Sequence, residues 1–143
     1  MESRTGELLE KIRRGVRRER LVETACALID CPSPTGNAGE VSDCLGEMLT
    51  REGFEVSRPD GGHPNAPAVV VRYEGKEAGK RLQFDGHLDT VHLPFVASFI
   101  EGDLLQGSGA SDMKAGVAAA VEGLRVIREL PLVKVCGYGF APF

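Results

Sequence analysis

Two runs anchor the architecture: Phe84-Asp85-Gly86-His87-Leu88-Asp89-Thr90-Val91 and, after fifteen intervening residues, Gly107-Ser108-Gly109-Ala110-Ser111-Asp112-Met113-Lys114-Ala115-Gly116. The first run follows a predicted strand over 81–85, with Leu82 and Phe84 on one face. Residues two apart in extended backbone point to the same side, so His87 and Asp89 share one direction at the strand's carboxyl end. That end is where open α/β sheets hold their ligands. An imidazole suits zinc, and a neighbouring carboxylate orients the ring and raises its basicity. The second run leads into a long helix predicted over 113–130, with Asp112 at its start, where unpaired N–H groups and the helix dipole favour negative charge. Its glycines let the loop approach whatever fills the cavity, while the lack of Gly-Lys-Ser/Thr argues against a phosphate-binding loop. Taken singly, His-x-Asp is a weak signal and Asp112 reads as an ordinary helix cap.

Outward from these turns the pattern alternates between helix and strand. Apolar residues Leu21, Ala25, Leu28 and Ile29 form a helical stripe over 18–30, which Pro32 and Pro34 stop. Val41, Cys44, Leu45, Met48 and Leu49 mark a second helix over 40–51, with Gly53 placed for a left-handed C-terminal cap. Both stripes are core faces without chemistry. Strands are expected over 54–57, over 67–73 around Ala68-Val69-Val70-Val71, over 103–106, and over 132–136, with a polar turn over 74–80. Val117, Ala120, Val121, Leu124 and Ile127 form the buried stripe of the long helix, which Pro131 ends. The order predicts a mixed α/β layer architecture. Neither a repeat nor a low-complexity segment interrupts it.

Composition narrows the classes further. The 143 residues suit one domain, and 42% hydrophobic with 27% charged residues is ordinary for a soluble protein. A net charge of -4 argues against a nucleic-acid partner, and the basic stretch over 11–20 is interspersed with acids, as on a solvated helix face. Cys26, Cys31, Cys44 and Cys136 have neither the spacing of a zinc knuckle nor that of a disulfide framework. No apolar run reaches the ~20 residues of a membrane span, and the charged N-terminus lacks a secretory core, so a cytoplasmic setting is expected. His63 and His92 read as incidental loop histidines, with a substrate contact as the alternative for His92.

Together the two turns resemble the zinc-dependent aminoacylase, acetylornithine deacetylase, succinyl-diaminopimelate desuccinylase and carboxypeptidase G family. The flanks agree: Cys31-Pro32-Ser33-Pro34-Thr35-Gly36, Glu52-Gly53-Phe54, and Asn65 before the Val69 strand. The resemblance extends over 18–130. Related aminopeptidases with similar di-zinc sites fit the Gly-x-Gly-x-x-Asp-x-Lys spacing less well. It implies a partial three-layer zinc-exopeptidase-like catalytic domain, a mixed β-sheet flanked by helices. It also implies hydrolysis of amide bonds in N-acyl amino acids or small peptides by water activated on two zinc ions, with cobalt or manganese as alternatives. His87 becomes a ligand of one zinc, Asp112 the carboxylate bridging both, and Asp89 the catalytic aspartate that supports His87.

The match departs from the pattern in places. Ser108 stands for a usual basic residue, Ala115 for a glycine and His92 for a proline. The resemblance also implies a glutamate pair after the strand that follows the long helix, one as general base and one as ligand. After Glu129 this sequence holds no acidic residue, and 137–143 breaks into glycine, proline and aromatics. The expectation is therefore a truncated N-terminal part of a di-zinc hydrolase over 1–143, lacking the lid or dimerisation domain and doubtful in activity. The alternative is a non-catalytic binding domain with a degenerate metal site.

Overall fold

The computed structural model describes residues 4–74, 82–130 and 138–140. Four helices, α1 (Arg4–Gly15), α2 (Arg18–Ile29), α3 (Gly39–Arg51) and α4 (Ala115–Glu129), accompany five short strands. These are β1 (Glu55–Ser57), β2 (Val69–Arg72), β3 (Phe99–Glu101), β4 (Leu104–Gln106) and β5 (Tyr138–Phe140). The apolar stripes of α2, α3 and α4 converge on β2. Leu28, Val41, Leu45, Leu49, Val69, Val71, Val121 and Leu124 are fully buried there in one cluster, with Leu88 and Val117 beside them. Removing such surface from water is the main favourable term in folding, and here it fixes helices and sheet as packed layers.

One sheet runs β1-β2-β5 with antiparallel pairing, Val56 opposite Val71 and Val70 opposite Gly139. The other is the antiparallel hairpin β3-β4. The bounds of α2, α3 and α4 agree with the periodicity to within two residues, whereas α1 is not among the expected helices, and Gly53 has φ +82 at the end of α3, as a left-handed cap requires. Three expectations are corrected. Residues 82–89 form no regular strand, and Leu82 and Phe84 are exposed, because the segment pairs with the 31–36 loop instead, through Pro34 and Thr90 in parallel. The hairpin gains β3, which the apolar pattern of 93–100 does not announce. Asp112 is not the cap of the long helix, since α4 begins three residues later and Lys114 occupies the cap position. The strand expected over 132–136 lies outside the described residues, as does most of the 74–80 turn.

Among the described residues no helix is long and apolar enough to cross a membrane.

Candidate metal centre

Residues 86–90 are held by the loop that follows α2. The Thr90 amide donates to the Ser33 carbonyl at 2.7 Å, and the Thr35 amide donates to the Thr90 carbonyl at 3.3 Å. The buried Ser33 hydroxyl donates to the Leu88 carbonyl at 2.8 Å. Leu88 points into the core and is 1% exposed, so its neighbours His87 and Asp89 face the other way. The loop itself is anchored by Lys114, whose fully buried ammonium donates to the Cys31 carbonyl at 2.7 Å. Burial pulls that ammonium below the ordinary lysine range.

Asp112 arrives from the irregular turn Ala110–Lys114, where it is extended at φ -137 and ψ 96, and its peptide bond to Met113 is cis. Gly109 lets this turn close on the 86–90 segment. It has φ +81, and a Cβ there would lie 2.8 Å from Thr90 Cγ2. The result brings His87 Nε2 to 3.0 Å from Asp112 Oδ1. On the other side of the ring, Nδ1 lies 3.1 Å from both the Asp89 carbonyl and Asp89 Oδ1. The second Asp89 oxygen accepts from the Thr35 hydroxyl at 2.5 Å. In the sequence Thr35 stands out only as part of a flanking motif. Its role is visible only in three dimensions, because its partner lies 54 residues away.

Electrostatics follow from this geometry. Burial lowers the His87 pKa, but the Asp112 carboxylate, the Asp89 carbonyl and the Asp89 carboxylate outweigh it and raise it above the ordinary range. The Asp89 side chain is 16% exposed and that of Asp112 is 80% exposed. Both carboxylates line an open cavity of about 460 Å³, Asp89 largely covered and Asp112 exposed, together with Thr35, Leu105, Gln106 and Ser111.

Zinc–nitrogen and zinc–oxygen bonds are ~2.0–2.2 Å, so donors 3.0 Å apart are close enough to share one ion. The chemistry of the pair also fits: an imidazole backed by a carboxylate, and a second carboxylate open to the cavity. The fit covers part of a site. Among the described residues no group of three or more His, Cys, Asp or Glu side chains is arranged to hold a metal ion. His63 and His92 are exposed in loops away from the cavity lining.

Comparison with known proteins bears on this site. Residues 83–136 match the family model described as Peptidase family M20/M25/M40. The chain is 41% identical over 113 residues to a succinyl-diaminopimelate desuccinylase of Novosphingobium aromaticivorans, covering 70% of this chain and 29% of that protein. It thus spans less than a third of the length of that curated relative. A tripeptidase from Staphylococcus aureus superposes with a TM-score of 0.75 at 26% identity, over 89% of this chain and 37% of that one. The Bacillus subtilis YXEP protein, described as a dinuclear metal binding peptidase of the M20 family, superposes with a TM-score of 0.55 at 20% identity, over 85% of this chain and 33% of that one. That last likeness is one of fold. The family match falls on residues 83–136, the stretch that carries both turns of the site, and is a likeness to peptidase family M20/M25/M40.

Proposed function

We propose that this chain is the N-terminal part of the catalytic domain of a zinc-dependent hydrolase that splits amide bonds in N-acyl amino acids or small peptides. His87 and Asp112 are its metal ligands and Asp89 is the residue that positions His87. The observation that carries the reading is the 3.0 Å approach of His87 Nε2 to Asp112 Oδ1, with Asp89 behind the ring. A divalent ion bound there would lower the pKa of water and polarise a scissile carbonyl. With Nδ1 turned toward Asp89, Nε2 is the ring nitrogen that His87 would present to a cation. The Asp112 carboxylate, open to the cavity, would hold the metal together with His87. Cobalt or manganese suits the same nitrogen and oxygen donors.

One observation favours a second reading, a metal-binding domain without chemistry. A catalytic zinc takes three protein ligands, and the described residues assemble no such group. Titration of the purified chain with Co²⁺, read by its visible absorption, tests both. The hydrolase reading expects binding that His87→Ala and Asp112→Asn each abolish, together with turnover of N-acetylated amino acids that His87→Ala removes. Binding with no turnover supports the second reading. Co²⁺ uptake that neither substitution changes sinks both.

A further inference from the structure

The cavity at His87 and Asp112 continues into a second lobe of different chemistry. This lobe, about 330 Å³, shares Thr90, Val91, Gln106, Gly107 and Gly109 with the first. Beyond that shared floor its wall is Leu93, Pro94, Val96, Phe99 and Ser108. No side chain lining it carries a charge. Its apolar groups face water: Leu93 is 73% exposed, Val91 69%, Val96 48% and Phe99 47%.

The wall is built rather than draped. The Ser108 amide donates to the Val96 carbonyl at 2.8 Å, and the Val96 amide donates to Ser108 Oγ at 2.8 Å. The Ser98 amide donates to Asp30 Oδ1 at 2.7 Å, which ties the strand β3 that carries Phe99 back to the end of α2. Gly107, at φ +141, sits where a Cβ would lie 2.5 Å from Ile29 Cγ2, so the floor is pinned against that helix as well.

Resting on the proposed hydrolase function, we infer that this second lobe is a substrate subsite that takes an aliphatic or aromatic group next to the scissile amide, and so selects apolar N-acyl amino acids over charged ones. Its volume falls in the range of small-ligand pockets. A carboxylate or ammonium placed there would leave water without gaining an ionic partner, whereas a leucyl or phenylalanyl group would cover Leu93, Val96 and Phe99. The shared floor sets the distance: one molecule that occupies both lobes has its amide beside His87 and Asp112.

The test uses the purified 143-residue chain without metal and compares N-acetyl-L-phenylalanine with N-acetyl-L-aspartate by calorimetry and by amide chemical shifts in NMR. The phenylalanine derivative binds roughly ten-fold or more tightly, with shifts concentrated in 90–109. Phe99→Ser and, on a loop with little packing to lose, Leu93→Ser bring its affinity down to that of the aspartate derivative. Both variants take up Co²⁺ like the parent chain. Equal affinities, shifts centred elsewhere, or an unchanged preference in Leu93→Ser overturn the inference. So does sedimentation showing a dimer that Leu93→Ser dissociates, because a second copy then covers the lobe. Cobalt uptake without discrimination between the ligands removes the subsite and leaves the metal reading standing. Discrimination without any cobalt uptake removes the metal reading and leaves the subsite.

Discussion

The Thr35 hydroxyl, 2.5 Å from Asp89 Oδ2, shows how the site depends on a side chain that takes its role from its partner. A carboxylate free to rotate loses its grip on the imidazole behind which it stands. Thr35→Val should therefore weaken Co²⁺ binding by about 10- to 100-fold, with Thr35→Ser restoring it. Because Thr35 is exposed, the thermal midpoint should barely move. Unchanged affinity in the valine variant would mean that Asp89 is held without it. Gly109 makes a second residue-scale case. At φ +81, with Thr90 Cγ2 2.8 Å and Lys114 Cδ 3.1 Å from a built Cβ, Gly109→Ala should cost about 1–2 kcal/mol in urea unfolding. A loss below a few tenths would show that the turn relaxes freely. His87, Asp89 and Asp112 stand out in the sequence because their residue types and spacing are themselves chemical. Thr35 and Lys114 do not, since a hydroxyl or ammonium acquires its meaning only from a partner distant along the chain.

At the scale of elements, α2, α3 and α4 were legible because a stripe of apolar residues at helical spacing has one economical interpretation. The ionic network that joins them was not, because a buried Glu or Arg is spelled like a surface one. Glu122 and Arg125 on α4 are each 2% exposed. Glu122 accepts from Arg20 Nε at 2.8 Å and from the Arg17 amide at 2.9 Å, while Arg125 donates to Thr24 Oγ1 at 2.8 Å and pairs with Glu52 at the end of α3. Arg20 also pairs with Glu129, and its guanidinium, raised chiefly by Glu122, stays charged throughout the accessible range. Burial pushes the Glu122 carboxyl up, but Arg20, the Arg17 amide and Arg125 outweigh it and hold it below the ordinary carboxylate range. Glu129 is lowered too, first by Arg20. A lowered carboxyl contributes stability that is fully present above its unfolded pKa, roughly 4.3, and is lost as pH falls through the folded value. The contribution of Glu122 and Glu129 should thus be level from about pH 7 down to the unfolded value and drop below it. In Glu122→Ala the drop should shrink, and the neutral-pH stability should fall by about 3–5 kcal/mol as Arg20 and Arg125 lose a buried partner. A parent chain and variant with the same acid limb in chemical-denaturation curves would contradict this.

For the molecule as a whole, the layered α/β architecture was legible from the order of helix-like and strand-like segments, and the sheet order was not. The strand β5 falls in a stretch of glycine and aromatics whose own pattern reads as broken, and it is a strand because Val69–Val71 offer it a partner. The same long-range logic decides how the chain unfolds. The chain matches only 29% of its curated relative's length, yet its buried cluster draws on α2, α3, β2, Leu88 and α4 together. No subset of those elements buries the cluster without the others, and Arg125 ties α4 to both α2 and α3. Loss of one element then exposes core on all of them, the condition for a single cooperative transition. Far-UV circular dichroism and labelling of the half-buried Cys31 and Cys44 should report one shared urea midpoint. Leu45→Ala, at a fully buried position of α3, should lower the unfolding free energy by about 2–5 kcal/mol in both signals, with the slope against urea unchanged. If cysteine labelling instead preceded the loss of helix, α2 and α3 would come apart before α4, and the described residues would be two units rather than one.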